Sequence, residues 1–208
     1  MTELKADQLA KRYGNQLIFK GVDVHLLQGD SLVITGDNGS GKSTLLKVLA
    51  GFASPNLGSV AHVVDGRTIR PEDRWEFFTF TGPYHELYNF LTLRETWLQW
   101  QAVRGLEKVW SATEFCDAIQ LPASALDKPL QTFSSGMLQR VKLGMIFYTP
   151  SPFVFLDEPL SNLDKAGREW YVTTASEQFK NRIVVVASNR DSDEYQFCNR
   201  ELEVSSYK

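Results

Sequence analysis

Two short groups of residues in this chain have types and spacings that could do chemistry. The first is Gly36-Asp37-Asn38-Gly39-Ser40-Gly41-Lys42-Ser43-Thr44, which fits the phosphate-cradling pattern G-x-x-x-x-G-K-[ST]. Glycines let such a loop curl so that successive N–H groups converge on one phosphate, and a helix N-terminus behind it adds its dipole. Gly36, Asn38, Gly39, Ser40, Gly41 and Thr44 form the cradle. Lys42 is expected to reach the β- and γ-phosphates, and the Ser43 hydroxyl to ligate Mg²⁺. A chance match of the four fixed positions has a probability of about one per cent at ordinary composition. The pattern alone specifies only a nucleoside triphosphate, since kinases, GTPases and motors share it. The second group is Asp157-Glu158, placed directly after the apolar run Phe153-Val154-Phe155-Leu156. Both carboxylates should therefore emerge at the carboxyl end of a buried strand, where open parallel sheets bind ligands. Asp157 is expected to hold Mg²⁺ through water. Glu158 is expected to orient the attacking water as general base, a role suited to hydrolysis. A solvated acidic turn would explain Asp-Glu-Pro in isolation, but not with a phosphate cradle earlier in the same sheet.

The elements that must position these groups can be read from periodicity. Residues 3–34 hold alternating runs such as Val22-Asp23-Val24-His25-Leu26, with turns at Gly14-Asn15 and Gln28-Gly29-Asp30, and read as antiparallel strands. Leu32-Val33-Ile34 leads into the Gly-rich loop, and Lys42 to Gly51 reads as a helix buried through Leu45, Leu46, Val48 and Leu49 and closed by Gly51. Val60, His62 and Val64 alternate before an Asp65-Gly66 turn, and Trp75 to Phe80 reads as a further strand. Residues 92–149 change to helical spacing: Trp97, Trp100 and Val103; Val109, Ala112, Phe115 and Ile119; Leu138, Val141, Met145 and Tyr148. That predicts a helical insertion of about three helices. Phe153–Leu156 and Ile183–Val186 then resume as parallel strands covered on both faces.

Composition bounds the rest. The 208 residues, 43% hydrophobic, suffice for one sizeable core. A net charge of −3 offers no global basic field, so nucleic acid is not an expected partner. Cys116 and Cys198 form no CxxC or zinc spacing and fit a reduced cytosolic compartment as apolar fillers. The first residues lack the apolar core of a signal peptide. The longest uncharged stretch, 143–156, is too short to span a bilayer and contains Pro150 and Pro152.

Between the two chemical groups lies Phe133-Ser134-Ser135-Gly136-Met137-Leu138-Gln139-Arg140, which resembles the signature L-S-G-G-Q-x-Q-R of the ABC (ATP-binding cassette) family. As an isolated segment it would read as an ordinary serine N-cap. Ser161-Asn162-Leu163-Asp164 resembles the family's D-loop, and Tyr13 sits where its adenine-stacking aromatic is expected. Gly58-Ser59-Val60 and Leu91-Thr92-Leu93-Arg94-Glu95 also follow the family's order. The resemblance covers essentially the whole chain. It implies an α/β P-loop NTPase of ABC type, with a mixed sheet core, an antiparallel β subdomain and a helical insertion. Residues 1–85 and 150–208 would form the core of a single domain, and about 86–149 the helical subdomain. It further implies ATP and Mg²⁺ as cofactors and a homodimer or heterodimer of cassettes. In that dimer Ser134 and Gly136 contact the γ-phosphate bound by the other subunit, and Asp164 helps join the two sites. An integral membrane permease subunit would hold the protein on the cytoplasmic, inner face of the cell membrane. Length and a small insertion look most similar to the ATPase subunits of haem-export or cytochrome c maturation systems.

The chain also departs from the family. Thr81-Gly82-Pro83-Tyr84-His85-Glu86 lacks the expected glutamine, and His85 reads as an exposed loop histidine. Ser188-Asn189 stands where a switch histidine is usual. Asn189 can donate a hydrogen bond to phosphate but cannot carry charge. Slow or partner-dependent hydrolysis is the expectation, with Glu158 retained. A non-hydrolysing ATP-gated module and a soluble ABC-type ATPase stay open as alternatives. Tyr84, Tyr88 and Phe90 form an aromatic cluster that either receives the membrane partner's coupling helix or packs the two lobes together.

Overall fold

The computed structural model describes residues 1–83, 85–106 and 110–208; Tyr84 and Val109, placed above in the aromatic cluster and in a helix, lie outside these. In chain order the elements are β1 (Glu3–Tyr13), β2 (Gln16–Leu27), β3 (Ser31–Thr35), α1 (Lys42–Ala50), β4 (Leu57–Val64), β5 (Arg67–Thr68) and β6 (Phe78–Thr81). Then come α2 (Leu93–Arg104), α3 (Ala112–Ala118), α4 (Ser135–Phe147), β7 (Phe153–Asp157), α5 (Lys165–Gln178), β8 (Ile183–Ala187), α6 (Ser192–Tyr195) and β9 (Arg200–Glu203). The chain divides into two compact units: residues 1–80, 151–158 and 179–208, and residues 81–150 and 159–178.

The first unit contains both sheets. One is antiparallel with strand order β2-β1-β4-β5, and the other has the order β6-β7-β8-β3-β9, parallel along β7-β8-β3-β9. Strands β3, β7 and β8 are buried at every position, as central strands covered on both faces must be. Leu32, Ile34, Phe153, Phe155, Ile183 and Val185 from these strands join Leu45, Leu46, Val48 and Leu49 of α1 in one core. Gly51 ends α1 at φ 86°, where it closes the helix through its N–H. Gln8 takes φ 48° at a register shift in β1. A Cβ at Gly58 would lie 2.2 Å from the Asp7 carbonyl oxygen, so β4 can follow β1 past this bulge only with glycine there. His62 of β4 is 1% exposed and meets Phe153 of β7 edge-on at 5.1 Å.

The second unit is helical. Capping boxes start α2 (Thr92 with Glu95) and α3 (Ser111 with Glu114). Trp97 of α2 is fully buried and stacks on Phe115 of α3 at 3.9 Å, and its indole N–H donates to the Trp110 carbonyl. Gly144 lets α4 approach: a Cβ there would lie 2.2 Å from Ile119. Among the described residues, α2, α3 and α4 thus occupy the span predicted to be helical, and α5 clusters with them.

One expected strand is corrected. Residues 71–76 form a 3-10 helix, and β6 begins only at Phe78. Pro71 at the first helical position and Glu72 and Asp73 in the first turn favour a helical start, which competes with the aromatic run behind them. Trp75 is consequently 49% exposed.

Candidate active site

The Gly-rich loop links β3 to α1. Gly41, at φ 112°, turns the chain into the helix, and a Cβ there would lie 2.5 Å from the Ile18 side chain. Gly36 is equally closed, since its Cβ would meet Ser40 Oγ at 2.7 Å, whereas Gly39 faces open space. Unlike α2, α3 and α4, α1 carries no side-chain cap, so its first-turn N–H groups are left for an anion. Ser40 Oγ is buried without a hydrogen-bond partner.

Lys42 is 5% exposed, and its Nζ donates to the carbonyls of Gly36 (2.9 Å) and Asp37 (3.1 Å). Burial lowers its pKa, with Glu158 and Asp157 acting in the opposite sense at longer range. A buried ammonium whose hydrogen bonds go to carbonyls rather than to a carboxylate fits a phosphate as counterion. Asp157, at the end of β7, accepts a 2.9 Å hydrogen bond from Ser43 Oγ. Burial raises its carboxyl above the usual aspartate range, and the neighbouring Glu158 adds to this. A hydroxyl and an under-compensated carboxylate at this distance form a donor set suited to a hard divalent cation such as Mg²⁺.

Glu158 follows at φ 47°, a left-handed conformation costly for a residue with a Cβ, while its N–H donates to the Ala187 carbonyl at 2.9 Å. The bend turns its side chain out of the strand direction, where Asn189 Nδ2 donates to Glu158 Oε1 at 2.5 Å. A cavity of about 250 Å³ brings together Tyr13, Asn38, Gly39, Gly41, Lys42, Ser43, Thr44 and Glu158. Gly36 and Ser40 are buried in the same loop; Asp157 joins through Ser43, and Asn189 through Glu158. Tyr13 is 55% exposed, with Lys11 Nζ 5.0 Å from its ring. Ile18, another lining residue, escaped sequence reasoning because only its packing against Gly41 distinguishes it.

Ser134 and Gly136 lie in the other compact unit. Ser134 caps α4 by accepting from the Met137 N–H at 3.2 Å. A Cβ at Gly136 would stand 2.9 Å from the Asn162 carbonyl oxygen. Asp164 caps the Gly167 N–H and pairs with Arg140, and these contacts lower its pKa. Gln139 donates to the Pro159 carbonyl. His85 is exposed at the surface, although partial burial of its ring and then the Lys142 charge lower its pKa.

Among the described residues no helix is long and apolar enough to cross a membrane. The sequence profile of the ABC transporter family matches residues 19–161. LnrL of Bacillus subtilis, named a linearmycin resistance ATP-binding protein, is 27% identical over 95% of this chain, which spans 64% of that protein's length. CcmA of Xanthomonas campestris, named a cytochrome c biogenesis ATP-binding export protein, is 32% identical over 79% of this chain and 75% of its own. Among solved structures, an ATP-binding subunit of an ABC transporter superposes with a TM-score of 0.81 at 23% identity, covering 97% of this chain and 86% of its own. The cassette MJ0796, solved as a dimer bound to ADP and Pi, gives 0.79 at 21% identity over 97% and 95% of the two chains. The chain, an α/β fold with an ATP-binding loop, belongs to the ABC transporter family, as one of its cassette ATPases.

Proposed function

We propose that this cassette hydrolyses MgATP slowly, as half of a cassette dimer that drives an integral membrane permease from the cytoplasmic face of the cell membrane. The observation that carries the reading is the convergence of Lys42, the Ser43–Asp157 pair and the Asn189-bonded Glu158 around one cavity. In this reading Tyr13 stacks on adenine, and Lys42 and the α1 N-terminus hold the β- and γ-phosphates. Ser43 and Asp157 would hold Mg²⁺, which when bound neutralises charge on the phosphate oxygens. Glu158 accepts the proton of the attacking water through Oε2, because Asn189 occupies Oε1. Asn189 positions the base but brings no cation to the γ-phosphate, which is the reason for slow turnover. Ser134 and Gly136 serve the ATP of the other cassette, and Asp164, held by Arg140, links the two sites. The matches to export and resistance proteins support membrane transport over a soluble role.

Phosphate release by the purified chain tests the chemistry. Glu158→Gln should lower turnover ~100-fold or more while MgATP still raises the melting temperature. Asn189→Ala should lower turnover ~10-fold and Asn189→His should raise it. Rapid wild-type turnover indifferent to Asn189→Ala would overturn the account of the switch position. Tagged Glu158→Gln protein in detergent-solubilised source membranes with MgATP should retain a polytopic membrane protein in stoichiometric amount. Recovery of only ribosomes or DNA-associated proteins would overturn the transport role.

A further inference from the structure

A second concavity, of about 500 Å³, lies on the antiparallel sheet of the first unit, and its lining includes Ala10, Leu17, Leu57, Lys11, Arg12 and Lys20. Register explains the grouping. Lys20 of β2, Ala10 of β1 and Leu57 of β4 lie in one row across three strands, and the Arg12–Leu17 pair lies beside it. Ala10 is 6% exposed and forms a floor; Leu17 and Leu57 remain 44% and 62% exposed as walls. The lining carries three cations and no carboxylate, in a chain whose net charge is −3. None of the three has a carboxylate within ion-pair distance among the described residues. Two are held in place by backbone: Lys11 Nζ donates to the Ser54 carbonyl at 2.7 Å, and Arg12 Nε to the Gly14 carbonyl at 3.1 Å. Cations fixed around an apolar floor recognise carboxylates and an apolar group together, the chemistry of an acidic peptide with an aromatic or aliphatic anchor. A membrane surface would call for apolar side chains on a crest rather than inside a recess.

The β1–β2 hairpin that walls this groove also reaches the nucleotide cavity. Arg12 and Leu17 line the groove, while the adjacent Tyr13 and Ile18 line the other cavity, on a hairpin whose register shifts between Lys11 and Arg12. Lys11 belongs to the groove and stands over the Tyr13 ring. We propose that this groove binds an acidic peptide segment of a partner protein, and that its occupancy is coupled to nucleotide binding through the hairpin. The peptide site stands independently of the hydrolysis reading, and only the coupling rests on it. Coupling of this kind is reciprocal: whatever factor the peptide applies to nucleotide affinity, nucleotide applies to peptide affinity.

The test uses fluorescence anisotropy of the full nucleotide-free chain with a labelled random copolymer of glutamate and tyrosine. Polyglutamate, a lysine–tyrosine copolymer and phosphatidylserine vesicles serve as comparisons. The glutamate–tyrosine copolymer should bind more tightly than polyglutamate. The exposed double change Arg12→Glu with Lys20→Glu should weaken it at least tenfold, with an unaltered circular-dichroism melt. Leu57→Asp should weaken it as well, and MgATP should shift its affinity at least threefold in the wild type but not in Lys42→Ala. No binding of this copolymer, equal binding by the charge-reversed variant, or binding to vesicles alone would overturn the groove. Copolymer binding that ignores MgATP, in protein shown to bind MgATP, would overturn the coupling.

Discussion

His62 should make this fold acid-labile, by an amount that its surroundings set. Its ring is buried against Phe153 and Phe155, and neither nitrogen makes a hydrogen bond of acceptable geometry. Burial first, and the Arg74 charge second, lower its pKa from 6.5 to about 4, with the Leu49 backbone opposing in part. The folded state therefore resists a proton that the unfolded chain accepts. Stability is full above pH 6.5 and is lost as pH falls from there towards about 4. The whole shift corresponds to about 3 kcal/mol, of which roughly 1 kcal/mol is lost by pH 5.5 and roughly 2–3 kcal/mol by pH 4.5. The perturbation is His62→Leu, which fills the site with an apolar group and removes the titration. Urea unfolding of both proteins at pH 7.5, 5.5 and 4.5, followed by circular dichroism, isolates the effect, because other titrating groups cancel in the difference. The gap between the two unfolding midpoints should widen by ~1 M urea from pH 7.5 to 4.5, for a urea m-value of about 2–3 kcal/mol/M. Parallel pH profiles for the two proteins would refute the reasoning, since they would mean that His62 takes up its proton equally in both states.

Four further variants test the site. Asp157→Asn should raise the melting temperature of the nucleotide-free chain at neutral pH, since burial already disfavours the charge of Asp157, and should abolish the Mg²⁺-dependent part of nucleotide binding; differential scanning fluorimetry with and without MgATP reads both. Gly41→Ala should cost ~1–3 kcal/mol by urea unfolding, through its left-handed φ and the Ile18 contact, and should weaken ATP binding. Gly39→Ala, with nothing within 4 Å of its Cβ, should cost less in the same assay, ~1–2 kcal/mol for φ alone. Gly136→Ala should displace the Asn162 carbonyl and lower phosphate release while leaving MgATP binding by the same chain intact, because Gly136 belongs to a different compact unit from the Gly-rich loop.

Much of this protein is legible in residue order alone. Gly36 to Thr44 and Asp157-Glu158 carry their chemistry in local patterns, because a phosphate cradle needs a fixed run of backbone and a metal-binding carboxylate needs a strand end. The buried strands β3, β7 and β8 announce themselves as uninterrupted apolar runs, and the cap of α4 as Ser134. The strand expected at Trp75 failed because apolar character alone does not separate a strand from a short helical turn started by Pro71. Only tertiary structure decided which distant residues meet. The bond between Asn189 and Glu158, 31 positions apart, the packing of Ile18 on Gly41, the buried imidazole of His62 between β4 and β7, and the cationic groove across three strands all depend on how segments meet. Local sequence sets each segment's periodicity, but register and burial arise from contacts between segments, and those determine which groups are desolvated and which partners they find.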